Sequence, residues 1–104
     1  MAALYHAPHI ALRDDGSVDR LDARDDIARF FQAALDGYRQ AGCRRARFAD
    51  LEVVPLGGRS AVGTVTWELV GDDDRVLRRW RQSYNLIRVG DGWQVLTSTA
   101  HLER

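Results

Sequence analysis

Lysine is absent from this chain of 104 residues, so all fifteen of its basic residues are arginine. That absence excludes a Schiff-base lysine, a phosphate-loop lysine and any lysine general base. Cysteine occurs once, at Cys43, so no internal disulfide can form and a reducing compartment fits. Flanked by Gly42 and by Arg44 and Arg45, that thiol reads as a turn or edge residue rather than a nucleophile. Neither sign of charge is in excess: fifteen acidic residues balance the fifteen basic ones, with a pI near 6.8. Dedicated nucleic-acid binders usually carry a basic excess, so nucleic acid is not an expected partner. No stretch approaches the roughly 18 consecutive apolar residues of a membrane helix. No charged segment followed by an apolar one resembles a leader either. The expectation is a cytoplasmic protein that neither enters nor touches a membrane.

What is present suits a folded domain. Apolar residues make up 45% of the chain and charged residues 29%, which is neither a disordered nor a membrane composition. The length corresponds to one domain, residues 1–104, burying roughly 60–65% of its unfolded surface.

Residues 1–22 read as irregular, with Pro8 early and a turn at Asp14, Asp15, Gly16 and Ser17. The clearest element follows. Ile27, Phe30, Phe31, Ala34, Leu35 and Tyr38 recur at helical spacing and predict an amphipathic helix over residues 23–41. Asp22 is the expected N-cap, Asp25 and Asp26 complement the helix dipole, and Gly42 ends the helix. Beyond Gly42 the apolar period changes to two, predicting strands over residues 47–56, 61–70, 76–89 and 93–102. The turns between them are signalled by Gly57-Gly58, Gly71 to Asp74, and Gly90-Asp91-Gly92. The predicted fold class is α+β: a strongly curved antiparallel sheet, a four-stranded meander, wrapped around the helix.

Register assigns the faces. With Asp91-Gly92 as a two-residue turn, Tyr84 lies opposite Thr99 and Gln82 opposite His101. A four-residue loop at Gly71 to Asp74 sets Trp80 against Val65 and Tyr84 against Ala61. The inner face then carries Val65, Trp67, Leu69, Trp80, Tyr84, Leu86, Trp93 and Val95. Leu51 and Val53 also point inward, Glu52 outward, and a bulge falls near Gly57-Gly58-Arg59. On the inner face Gln82, Tyr84, Thr97, Thr99 and His101 are polar where apolar residues are expected. Beside them Gly63 and Ala61 leave space. A buried polar group costs a few kcal/mol unless paired, and aromatic walls with a few convergent polar groups describe a small-molecule site. The expected ligand pocket is lined by Tyr38, Gly63, Trp67, Trp80, Gln82, Tyr84, Thr97, Thr99 and His101. Mutual hydrogen bonding within the sheet is the bland alternative for the same residues.

Catalytic candidates are few. His101 has the right intrinsic pKa for a general base and Tyr84 can donate to an oxyanion. Glu68 and Glu52 fall on the outer face, Glu103 lies at the chain end, and no triad or phosphate loop is legible. His6, His9 and His101 share no spacing that defines a metal site, so neither metal nor cofactor is expected. The arginine runs at Arg44, Arg45 and Arg47 and at Arg78, Arg79 and Arg81 read as solvated or ion-paired surface. Ile87 and Leu96 make the outer sheet face half-apolar, which predicts a homodimer through that face.

The chain also resembles the nuclear transport factor 2-like superfamily, particularly its SnoaL-like branch. The resemblance rests on Ala3-Leu4-Tyr5-His6-Ala7-Pro8-His9, on Asp15-Gly16 and on the helix from Ile27 to Tyr38. It continues through Ala61 to Trp67, Gln82-Ser83-Tyr84-Asn85-Leu86, Asp91-Gly92-Trp93-Gln94-Val95 and on to His101. It implies a cone-like, cystatin-type fold with a pocket at its open end and dimers through the outer sheet face. Ala3-Leu4-Tyr5 resembles only the last turn of the long first helix that closes the cone in such proteins, which implies that most of that helix is missing here. Catalytic members hold an acid/base carboxylate or histidine in the pocket, and here only His101 and Tyr84 match. The resemblance thus implies a binding or interaction domain for a small apolar ligand. An acid–base enzyme of the isomerase, polyketide cyclase or dehydratase type is the alternative.

Overall fold

A computed structural model describes residues 4–13 and 15–101. Its elements run β1 (Tyr5–Leu12), β2 (Val18–Leu21), α1 (Arg24–Gln40), β3 (Arg45–Pro55), β4 (Ser60–Val70), β5 (Val76–Val89) and β6 (Gly92–Ala100). The four predicted strands and the helix are present. The amino-terminal segment is not irregular: it forms the hairpin β1–β2, and β1 runs parallel to β6. The sheet therefore has six strands in the order β2-β1-β6-β5-β4-β3, curved and unclosed. The hairpin is hard to see in sequence because Pro8 and two histidines break the alternation. Its turn holds Gly16 at φ +87°, and the Asp15 carboxylate accepts hydrogen bonds from the Ser17 amide and hydroxyl. Ala3, Asp14, Leu102 and Glu103 lie outside the described residues.

The helix begins one residue later than predicted. Asp22 pairs with Arg20 and does not cap; the Asp26 carboxylate accepts the Ala23 amide instead. At the other end Gly42 takes φ +94°, the Cys43 amide donates to the Tyr38 carbonyl and the Gly42 amide to the Arg39 carbonyl. That is a Schellman closure, which needs the left-handed residue only glycine adopts without strain.

Register decides which side chains share a face. In β4–β5 Gly63 pairs with Tyr84, Val65 with Gln82 and Trp67 with Trp80. This is a slip of two residues from the predicted pairing, so the faces stay as expected. The β5–β6 turn is Gly90-Asp91 rather than Asp91-Gly92, because Gly90 takes φ +60° as a tight hairpin turn requires. Beyond it a bulge leaves Leu96 without a partner, and Tyr84 then pairs with Ser98 rather than Thr99. One inserted residue exchanges the faces. Ser98 and Ala100 point inward and are buried, whereas Thr97, Thr99 and His101 point outward. In β3 the bulge lies at Asp50, φ +53°, not at the Gly57-Gly58 turn; Val53 faces inward and Glu52 outward as expected.

The buried core is Tyr5, Ala11, Ile27, Ala61, Val65, Leu69, Val70 and Ala100, joined by His9, Glu68 and Ser98. It spans β1, β4, β6 and the start of the helix, whose closest backbone approach is to β1 and β2. The helix backbone makes fewer close approaches to β3, β4 and β5, and the Tyr38 side chain of α1 lies near Tyr84.

Candidate functional site

Tyr84 is the centre of the inner face. Its hydroxyl oxygen accepts a hydrogen bond from Trp67 Nε1 at 2.8 Å. A phenol that accepts in this way keeps its own proton for another acceptor. Burial raises the Tyr84 pKa, the Trp67 hydrogen bond lowers it, and the nearby Tyr38 hydroxyl raises it. Burial likewise raises Tyr5 and Tyr38, with Tyr84 adding to the shift at Tyr5. Three tyrosines from β1, α1 and β5 therefore meet at one end of the inner face, all neutral at ordinary pH. A second indole is paired in the same manner: Trp80 Nε1 donates to Gln82 Oε1 at 2.8 Å, while the Arg78 guanidinium stacks on the Trp80 ring. Phe48 of β3 meets the Trp67 ring edge-on. Each of these indole N–H groups is satisfied within the sheet, which leaves aromatic ring surface on this half-buried face for contact.

Of the expected pocket residues, Tyr38, Gly63, Trp67, Trp80, Gln82 and Tyr84 lie on this face. A Cβ at Gly63 would meet Leu86 Cδ1 at an ordinary contact distance of 3.9 Å. Thr97, Thr99 and His101 do not belong to it. The Leu96 bulge turns them to the other face, where the exposed His101 shares a 2.7 Å hydrogen bond through Nε2 with Ser83 Oγ. His101 and Tyr84, the expected acid–base pair, thus stand on opposite sides of the sheet.

The histidine that does reach the inner side is His9, missed in the sequence because β1 was read as irregular. It is 1% exposed, its Nε2 lies 3.1 Å from Ser98 Oγ, and the Tyr5 ring meets it edge-on. β1 slips register against β6 between Tyr5 and Ile10, the stretch that holds His9. Nδ1 makes no hydrogen bond of good geometry. The Val95 and Leu96 carbonyls nevertheless lie close enough to favour the charged form, while burial, the larger effect, drives the pKa down.

The outer face is polar and bonded to itself. Thr64 and Ser83 hydroxyls meet at 2.8 Å, and Arg81 donates to Thr66 Oγ1 at 2.8 Å. Glu68 takes Arg47 Nε at 2.8 Å on one oxygen and the Arg79 guanidinium on the other. These hydrogen bonds hold its carboxyl below the usual range. The Asp50 bulge opens a recess of about 560 Å³ beside this cluster, lined by Thr66, Glu68, Arg79 and Arg81 among others. Positive and negative groups there neutralise one another. Among the described residues no group of three His, Cys, Asp or Glu is placed to hold a metal, and no helix is long and apolar enough to cross a membrane.

One helix laid across the end of a curved, unclosed sheet, with an aromatic inner face, defines a cystatin-like or NTF2-like fold. The chain belongs to the NTF2-like protein family DUF6841, whose family model matches residues 1–103. None of the curated proteins compared with it matches significantly. Among solved structures it is similar to a domain of unknown function with a cystatin-like fold from Nostoc punctiforme PCC 73102. That pair has a TM-score of 0.73 at 18% identity, covering 99% of this chain and 63% of that one. A second Nostoc punctiforme protein of unknown function with a cystatin-like fold gives 0.77 at 12% identity, covering 98% and 73%. A ketosteroid isomerase-like protein from Erwinia carotovora atroseptica SCRI1043 gives 0.69 at 13%, covering 95% and 75%. At these identities the likeness is one of fold. The chain spans less than two thirds of the length of the first of these neighbours.

Proposed function

We propose that this domain is a non-catalytic binding module, of the SnoaL-like type within its family, that takes a mostly apolar molecule on the inner face of β3 to β5. One observation carries the reading: Trp67, Trp80 and Tyr84 share one half-buried face of the sheet, and the indoles and the Tyr84 oxygen have their polar edges tied within it. Such a surface offers aromatic area at little ordering cost, with the Tyr84 hydroxyl free to donate to one oxygen of the bound molecule. The acid–base alternative needs His101 and Tyr84 on one face, and the Leu96 bulge separates them. The module is further proposed to be homodimeric, an arrangement the sequence assigns to the outer sheet face.

An anilinonaphthalene sulfonate dye tests the site, because it is a flat apolar probe that fluoresces when sheltered. Saturable binding is expected, and Trp80→Ala weakens it roughly five- to tenfold, the contribution of one aromatic contact. Thr99→Arg, on the outer face, leaves it unchanged. Equal binding by both variants contradicts the assignment.

A further inference from the structure

We propose that the homodimer forms edge to edge, by antiparallel pairing of β3 with β3 of a second copy, rather than through the outer sheet face. The inference rests on the homodimer reading and names its contact surface. β3 is the last strand of the sheet, eleven residues long, and every one of those residues is exposed. Phe48, Leu51, Val53 and Val54 are each more than half exposed on it. The chain exposes 7151 Å², whereas a folded monomer of its mass exposes about 5,900 Å². The excess, about 1,200 Å², exceeds the roughly 800 Å² each partner contributes to a standard interface.

Register and charge identify the occupant as a second copy of this chain. The strand is basic in its first half, at Arg45 and Arg47, and acidic in its second, at Asp50 and Glu52; Arg45, Arg47 and Glu52 also pair with Asp74, Glu68 and Arg81 of their own chain, and each stays solvent-exposed. Antiparallel self-pairing necessarily sets one half against the other. A bulge ordinarily blunts an edge, but the one at Asp50 also exchanges the faces. Arg45 and Arg47 point outward before it, and Glu52 and Val54 point outward after it. Centring the two-fold axis between Ala49 and Asp50 therefore places Arg47 against the second copy's Glu52 and Phe48 against its Leu51. Ala46 meets its Val53, and Arg45 its Val54. Every pair falls on one face of the joined sheet, as strand pairing requires. Outward pairs join charge to charge or to a half-polar rim; inward pairs join the exposed apolar residues and extend the aromatic inner face across the axis.

Size-exclusion chromatography with light scattering at micromolar concentration reads the result. Wild type is expected to be a dimer. Glu52→Arg sets like charges opposite each other twice across the axis and is expected to raise the dimer dissociation constant about tenfold. The double variant Arg47→Glu with Glu52→Arg restores dimerisation, and Thr99→Arg leaves it intact. Val54→Lys, which faces the second copy's Arg45, serves if the double variant fails to fold, and weakens the dimer in the same way. A dimer indifferent to Glu52→Arg and Val54→Lys but lost in Thr99→Arg overturns the edge contact while keeping the homodimer. A monomeric wild type overturns both.

Discussion

Ile27→Ala is expected to destabilise the fold by about 3 kcal/mol, within the 2–5 kcal/mol range for truncating a buried isoleucine. In a domain of this size that corresponds to roughly 12–20 °C in melting temperature. Ile27 is 0% exposed and is the helix's one buried residue. Because the closest backbone approach of α1 is to β1 and β2, its attachment depends heavily on that side chain. Leu35 has the same helical spacing but is 39% exposed, and Leu35→Ala is expected to cost under about 1 kcal/mol. Urea unfolding followed by circular dichroism compares the two. Equal losses mean that the helix is held along its whole length, contrary to the geometry.

Mild acid is expected to weaken the fold through His9. An imidazole whose folded pKa is lowered by burial binds its proton more tightly in the unfolded chain. Its contribution is therefore complete above the ordinary value of 6.5 and is lost as pH falls from there toward the folded pKa. The slope approaches about 1.4 kcal/mol per pH unit while the two states differ by one proton. The charged ring would have to sit against Tyr5, Ser98 and the nearby His6, with only the Val95 and Leu96 carbonyls to favour it. Carboxylates act in a different window. Glu68 and Asp15 are held below their usual 4.5 and 3.8, so what they contribute is present at neutral pH and is lost only in stronger acid. Urea midpoints at about pH 7.5 and about pH 5.5 isolate the histidine. Wild type is expected to lose stability between them and His9→Leu to lose much less. The same loss in both proteins would place the responsible group elsewhere.

The sequence was legible wherever period and turn chemistry agreed. Ile27 to Tyr38 repeats at helical spacing and ends at Gly42, and the four strands after it alternate between glycine-rich turns, so helix and meander were both foreseen. The hairpin of β1 and β2 was not, because Pro8 lacks the amide a strand ladder uses and β2 has only four residues. Bulges were the second obstacle. Leu96 is an ordinary strand residue in sequence, and nothing local marks it as unpaired; it is enough to move His101 to the wrong face and Ser98 to the right one. Trp67, Trp80, Gln82 and Tyr84 kept their face because the β4–β5 slip was an even number of residues. His9 entered the core through the same unseen first strand.

The inner-face site is the centre of this account, and a proton–nitrogen correlation spectrum recorded during titration with the anilinonaphthalene sulfonate dye tests it most directly. The indole signals of Trp67 and Trp80 and the amides of Phe48, Val65, Gln82 and Tyr84 are expected to shift together and saturate, while those of Thr64, Arg81 and Thr99 stay in place. Saturating shifts confined to the outer-face residues, with both indoles unmoved, would contradict it.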